Sequence, residues 1–153
     1  MLIRSILAVA LSVSMASAAL AAGAPSESTR PTPPGDYERG VEAVKAGNYP
    51  RALSLLGKVV GKEPRNADAW NYIGFSHRKQ KRFDQARIAY RKALAIEPDH
   101  RGANEYLGEL YLQTGELAKA KERLKTLDSA CFFGCEEYDD LKAAIAAYEK
   151  KRN

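Results

Sequence analysis

Residues 67–98, ADAWNYIGFSHRKQKRFDQARIAYRKALAIEP, contain two segments whose apolar residues recur at helical spacing. The first segment includes Trp70, Ile73 and Gly74, and the second includes Phe83, Ala86, Tyr90 and Leu94. A polar run at residues 78–82 lies between the two segments and fits a short turn. The stretch therefore predicts a hairpin of two amphipathic helices.

Small residues repeat along the chain at an interval of 34 residues. Glycine recurs at Gly40, Gly74 and Gly108, and alanine recurs at Ala52, Ala86 and Ala120. Because glycine and alanine have little or no side chain, they allow two helices to approach closely where they cross. A shared period of this length is typical of an array of stacked helical hairpins.

Seven residues of the central stretch match one repeat pattern in type and spacing: Trp70, Ile73, Gly74, Ala86, Tyr90, Ala93 and Pro98. On these residues the sequence resembles the tetratricopeptide repeat (TPR) family, although His77 stands where that family usually carries tyrosine. The resemblance implies an all-α fold, a right-handed superhelical stack of three hairpins at about residues 33–66, 67–100 and 101–130. The match is weakest in the first of these.

The repeat pattern ends after Leu127, and a last helix is predicted at about residues 136–151. Its apolar stripe is Tyr138, Leu141, Ile145 and Tyr148. Since an array exposes an apolar face at its end, we expect this helix to cap the sixth helix at Leu117, Ala120 and Leu124. Three polar residues are predicted to cap the first, third and fifth helices, namely Asp36, Asn66 and Asp99.

The N-terminus is predicted to be a secretory signal peptide at residues 1–22. Arg4 supplies the positive start, an apolar run follows, and small residues allow cleavage after Ala18, Ala21 or Ala22. Residues 23–35 are rich in Pro, Ser and Thr and are predicted to form a disordered linker before a TPR domain at residues 36–153. We therefore expect an exported protein, periplasmic or secreted, with no stable membrane insertion after cleavage.

The chain contains two cysteines, Cys131 and Cys135, separated by three residues. In an exported protein a disulfide between them is the expected state, and it would link the sixth helix to the cap. A free, buried pair and a redox-active pair are the alternatives. The spacing differs from Cys-x-x-Cys, and no strand–helix context accompanies it, which weighs against redox chemistry.

No residue pattern for catalysis, a metal or a cofactor is present in the sequence, so we expect a protein that is not an enzyme. His77 is predicted to be a hydrogen-bonded structural histidine and His100 to be solvated. The formal charge of +5 falls to +4 without Arg4 and does not indicate nucleic-acid binding. The most basic run is either a solvated face or a surface for an acidic partner or an anionic envelope surface, and comprises Arg78, Lys79, Lys81, Arg82, Arg87, Arg91 and Lys92.

In the family that this sequence resembles, the first helices of the hairpins line a groove that binds a protein or peptide. The corresponding residues here are Tyr37, Asn71, Tyr72, Phe75, Arg78, Lys79, Glu105, Tyr106 and Glu109. These aromatic residues either contact a partner or pack between repeats. The resemblance implies a non-catalytic interaction module, with a thiol–disulfide component as the alternative, and three repeats can also self-associate through an exposed end.

One subtype of the family grips the C-terminal carboxylate of chaperones with a clamp of lysine, asparagine and arginine side chains. The matching positions here hold Tyr37, Val41, Tyr72, Gly102 and Tyr106. None of these residues is basic, so the sequence excludes this mode of binding.

Overall fold

The computed structural model describes residues 35–152, and the predictions for the signal peptide and for residues 23–34 lie outside that range. The described part contains no strand and seven helices: α1 Asp36–Lys45, α2 Tyr49–Lys62, α3 Ala67–Lys79, α4 Phe83–Ile96, α5 Arg101–Gln113, α6 Leu117–Ala130 and α7 Glu136–Lys150. Helices α1 to α6 pair successively into three hairpins, and α7 follows. The prediction of an all-α stack of three hairpins plus a C-terminal helix is confirmed.

The repeated glycines allow close crossing within the first two hairpins. A Cβ atom added to Gly40 would lie 2.8 Å from side-chain carbons of Leu56 in α2, and one added to Gly74 would lie 2.6 Å from ring carbons of Tyr90 in α4. Since carbon atoms in contact prefer about 3.5–4.0 Å, neither position has room for a side chain. The alanines of the repeat are also fully buried, at Ala52, Ala86 and Ala120.

Gly108 departs from this arrangement, because the side chain that covers it comes from α7 and not from α6. A Cβ atom on Gly108 would lie 2.5 Å from a methyl carbon of Leu141, whereas the repeat places Leu124 at the position equivalent to Tyr90. Helix α7 accordingly packs more extensively on α5 than on α6. Helix α7 also packs on α6 as expected, since Leu117 and Leu124 of α6 border the same apolar cluster as Leu141. Its main contact, however, is with α5.

Each hairpin turns through a residue with a left-handed backbone. The φ angles are 71° at Gly47, 59° at Lys81 and 80° at Gly115, and these residues are themselves spaced by the repeat interval. Glycine adopts this conformation without a steric penalty, whereas a residue with a Cβ atom costs roughly 1–2 kcal/mol there. The turn of the central hairpin is therefore strained at Lys81.

The predicted caps are correct at one of three helices. Asn66 accepts a hydrogen bond from the backbone N–H of Ala69 at 2.9 Å and caps α3. Asp36 is instead the first residue of α1, where a carboxylate still favours the positive end of the helix dipole. Asp99 lies one residue too early to cap α5, and the ring of His100 takes that role.

The apolar interior forms two clusters along the stack. One joins α1 to α4 around Leu56 and Ile73, and the other joins α4 to α7 around Tyr90, Leu107 and Leu141. Because Tyr90 and Ala89 of α4 belong to different clusters, the central hairpin contributes to both. Within the described residues, no helix has the length and apolar character needed to cross a membrane.

Candidate partner-binding face

The predicted groove residues lie on α1, α3 and α5, and we call their surface the first-helix face. Aromatic rings join these helices across the repeats. The rings of Tyr37 and Tyr72 have centroids 6.3 Å apart, and those of Phe75 and Tyr106 have centroids 5.0 Å apart. All four side chains are partly exposed. The two interpretations of the aromatic residues are thus compatible, because the rings pack between repeats and still have surface that a partner could contact.

Arg78 lies between two of these rings and is almost fully buried. Its guanidinium carbon is 5.4 Å from the ring centroids of both Phe75 and Tyr106, within the range of a cation–π contact. Its Nη1 atom forms an ion pair with Glu109 at 2.5 Å. Lys79, which is exposed, has its Nζ atom 5.0 Å from the Phe75 ring centroid. Arg78 is therefore part of the packing and not a free surface charge.

Glu105 is the least expected member of the first-helix face, because its carboxyl group is buried. Glu105 is 7 % exposed, and its side chain makes no hydrogen bond or ion pair within residues 35–152. Burial, together with repulsion by Glu109, Asp140 and Glu137, raises the pKa of Glu105 to about 8, and Arg78 opposes this only weakly. At neutral pH much of this carboxyl group is protonated in the free protein.

A cavity of about 310 Å³ lies between α3, α5 and the start of α7. We call it the acidic cavity, because five of its lining residues carry carboxyl groups: Asp68, Glu105, Glu136, Glu137 and Asp140. Its other lining residues are Asn71, Tyr72, His100, Gly102 and Tyr106. Asn71 is 5 % exposed, and its side-chain oxygen has no hydrogen-bond partner among the described residues.

The structure brings four of the predicted groove residues together at this cavity, namely Asn71, Tyr72, Glu105 and Tyr106. Phe75, Arg78, Lys79 and Glu109 form the neighbouring cluster, and Tyr37 joins through its contact with Tyr72. The sequence analysis missed the contributions of Asp68, His100 and the acidic start of α7. The run of carboxylates at residues 136–140 is the available signal in the sequence, but such a run equally suits a helix N-terminus, where negative charges favour the positive end of the helix dipole.

The two histidines differ from their predicted states. His100 is largely buried: its Nδ1 atom accepts from the N–H of Ala103, so the proton of the neutral ring lies on Nε2, which is 3.1 Å from Asp68. The prediction of a solvated residue was wrong because the ring caps α5. His77 has a buried Nδ1 without a partner in the described part, which does not fit the predicted hydrogen-bonded histidine, and burial followed by the nearby Arg82 lowers its pKa.

The basic run does not form one continuous solvated face. Arg87 forms an ion pair with Glu116 at 2.7 Å, and Lys92 lies 4.0 Å from the ring centroid of Trp70. Glu116 also contacts Lys119, and these hydrogen bonds lower its pKa to about 2. With Arg78 buried as well, the charge of this run is partly used in intramolecular contacts, which weakens the case for an acidic partner there.

Cys131 and Cys135 lie together at the junction between α6 and α7. Their sulfur atoms are at the distance of a disulfide bond, and their Cα atoms are 5.6 Å apart. Phe132 and Phe133, between them, are 89 % and 99 % exposed and contact one another. Within residues 35–152, no three side chains of His, Cys, Asp or Glu are placed to hold a metal ion.

Comparisons with known proteins agree with this architecture. Two family models, each described as tetratricopeptide repeat, match residues 37–101 and 77–145. Among characterised proteins, the chain is similar to the PEX5-related protein of Homo sapiens, with 26 % identity over 92 residues. That match covers 60 % of this chain but only 15 % of the human protein.

Two solved structures resemble the fold closely at low sequence identity. PcrH in complex with the chaperone binding region of PopD has a TM-score of 0.68 and 15 % identity, with 77 % of this chain and 91 % of that chain covered. The first TPR of Spaghetti (RPAP3), bound to the HSP90 peptide SRMEEVD, has a TM-score of 0.66 and 19 % identity, covering 74 % and 93 %. At these identities the likeness concerns the fold alone.

Proposed function

The chain belongs to the tetratricopeptide repeat family, and from this premise we propose that it holds a segment of a partner protein on its first-helix face without catalysing a reaction. The observation that carries the proposal is the set of partly exposed aromatic rings at Tyr72, Phe75 and Tyr106. The last two of these rings lie against the buried guanidinium of Arg78. Tyrosine and arginine are enriched among the residues that dominate the energy of protein interfaces. The structural neighbours PcrH and RPAP3 are themselves solved with a partner segment bound.

Site-directed cross-linking in cells that produce the full chain would test this proposal. A photoreactive amino acid at position 72 should capture a defined partner, whereas the same group at Ile88, an exposed residue of α4, should not. A Phe75→Ala variant that carries the same photoreactive group at position 72 should retain its helical circular dichroism and lose more than about nine-tenths of the capture, since losing a hot-spot residue costs about 2 kcal/mol or more. Equal capture from positions 72 and 88 would contradict the proposed face.

We also propose that the protein works outside the cytoplasm, in the periplasm or after secretion. The support is the signal-like sequence of residues 1–22 together with a cysteine pair at disulfide distance. Cell fractionation followed by mass spectrometry of the mature N-terminus should find a chain that begins after Ala18, Ala21 or Ala22. A chain that retains Met1 in the cytoplasmic fraction would contradict export.

The thiol–disulfide alternative has one observation in its favour, because Cys135 directly precedes α7 and a helix N-terminus stabilises a thiolate. The next residues of α7 include Glu136, Glu137 and Asp139, however, and negative charges oppose ionisation of a thiol. We therefore favour a structural link for Cys131 and Cys135. A thiol pKa well below 8.5 after reduction would instead support redox chemistry.

A further inference from the structure

We propose that the acidic cavity is the subsite on this protein for a cationic side chain, lysine or arginine, of the bound partner segment. This inference rests on the proposed function, and it adds the chemical class that the first-helix face selects. The cavity lies beside the aromatic residues of that face, because Tyr72 and Tyr106 line it as well. Its volume of about 310 Å³ is at the lower end of the range for pockets that bind small ligands.

The charge of the lining residues selects a cation. Five carboxyl groups border the cavity, and His100 is the only lining side chain that can carry a positive charge. His100 is already bonded to Asp68, and the nearby Arg78 is already paired with Glu109. The negative charge of the cavity is therefore not neutralised within the described part of the chain, even though the whole sequence has a formal charge of +5.

One buried acceptor of the cavity lacks a hydrogen-bond donor, and a second acceptor lies beside it. Asn71 is more than nine-tenths buried, and its side-chain oxygen has no partner among residues 35–152. Glu105 is also buried as a residue, but its carboxyl group lines the cavity and is open to a ligand. An unsatisfied buried acceptor destabilises a protein, so such groups in a native structure call for an explanation. An ammonium or guanidinium group carries several N–H donors and no acceptor, and it could satisfy both residues.

The aromatic rings suit the same ligand. A cation close to a tyrosine face gains a further attraction from the electrons of the ring. The protein already uses this contact beside the cavity, where Arg78 lies 5.4 Å from the ring centroid of Tyr106. A partner lysine or arginine beside Tyr72 would repeat the arrangement in trans.

A metal ion fits the cavity less well than an organic cation. Metal sites need several ligand atoms at about 2–2.6 Å from one point. No three acidic or histidine side chains within residues 35–152 are grouped closely enough to meet that demand. A guanidinium group is several ångströms wide and can contact carboxylates that lie on opposite sides of the cavity.

The test uses the folded full-length chain and two small probes in nuclear magnetic resonance titrations. N-acetyl-arginine N-methylamide should shift the backbone amide signals of residues 71–72, 102–106 and 136–140. N-acetyl-norleucine N-methylamide, of similar length but uncharged, should bind at least about fivefold more weakly. At pH 9, where Glu105 is ionised, the Glu105→Gln variant should lose most of this preference, whereas Glu122→Gln, an exposed change on α6, should keep it.

The pH dependence gives a second and independent reading. Glu105 faces Glu109 on its own helix, Glu137 and Asp140 on α7, and Arg78 on α3, and its pKa is raised to about 8. If the arginine probe binds chiefly when Glu105 is ionised, its affinity should rise about tenfold between pH 7 and pH 9. The Glu105→Gln variant should show little of this rise.

Two results would overturn the inference. One is equal affinity for the arginine and norleucine probes at pH 9; the other is an arginine affinity at pH 9 that Glu105→Gln leaves unchanged. Either result would leave the proposed function intact, provided that cross-linking from position 72 still captures a partner. Because Glu105→Gln is expected to stabilise the fold, as argued below, a loss of binding in that variant could not be attributed to unfolding.

Discussion

Glu105 makes a specific prediction about stability, because a buried carboxyl group without a partner opposes folding whenever it is ionised. In the unfolded chain this group ionises near pH 4.5, and in the folded protein its pKa is raised to about 8 by burial and by the carboxylates of Glu109, Asp140 and Glu137. Between these two values the folded state holds one proton more than the unfolded state. The free energy of unfolding must therefore fall as the pH rises from about 4.5 to 8.

The Glu105→Gln variant should not show this fall in the free energy of unfolding with rising pH, because glutamine does not ionise. At 1.36 kcal/mol for each unit of pKa the whole shift corresponds to about 5 kcal/mol, and solvent in the cavity screens part of it. The variant should therefore be more stable than the parent by about 2–3 kcal/mol at pH 9. At pH 4.5 the two proteins should differ by less than about 1 kcal/mol, because both side chains are then largely uncharged in the folded state. Urea unfolding followed by far-ultraviolet circular dichroism at several pH values would measure the difference.

Glu109→Gln provides the matched control, since it removes a carboxylate from the same helix. Glu109 is paired with the buried guanidinium of Arg78, and breaking a buried pair costs about 3–5 kcal/mol. The loss of Glu109 also removes its repulsion of Glu105, which offsets part of that cost, so the variant should be less stable than the parent by about 2 kcal/mol at pH 9, the opposite sign. Suppose that the difference in stability between Glu105→Gln and the parent were the same at pH 4.5 and at pH 9. Glu105 would then not be a buried, unpartnered carboxyl group, and the cation subsite would lose its main support.

Four further substitutions test the helix crossing, the central turn and the cysteine link. Gly74→Ala should lower the free energy of unfolding by about 1–3 kcal/mol, because the new methyl group meets the ring of Tyr90. Gly57→Ala, which has open space around it, should raise the free energy of unfolding by about 0.5–1 kcal/mol. Thermal and urea unfolding of the two variants would compare them directly. Lys81→Gly should stabilise by about 1 kcal/mol by relieving the left-handed backbone, and an unchanged midpoint of urea unfolding would contradict this. Cys131→Ser should cost about 2 kcal/mol under oxidising conditions and nothing after reduction, as judged by paired melts.

The repeat architecture could be predicted from the sequence because its signals are local and recur. Glycine at positions 40 and 74 indicates a close helix crossing. The large residues that follow 16 positions later on the second helix of each hairpin, Leu56 and Tyr90, fill the space that each glycine leaves. Each unit repeats the same physical solution, so one clear hairpin at residues 67–98 was sufficient to align the others. The turn positions follow the same interval, including the strained one at Lys81.

The capping residues were harder to predict because neighbouring residues compete for the same role. Asp99 and His100 both precede α5 and both carry an acceptor atom. Only the folded backbone decides which acceptor reaches the N–H group of Ala103, and the one that does is Nδ1 of His100. That choice buries the ring and brings its other nitrogen to Asp68, so the residue that caps α5 also becomes part of the lining of the acidic cavity.

The placement of α7 depends on a choice that the repeat pattern does not contain. Gly108 leaves a gap that either Leu124 or Leu141 could fill, and in the structure Leu141 fills it. This contact draws α7 toward α5 and sets the acidic start of α7 beside Glu105, where it raises the pKa of that group. The cap and the acidic cavity therefore have one physical origin: a helix that covers the end of the array also supplies the charges that make the adjoining surface selective for a cation.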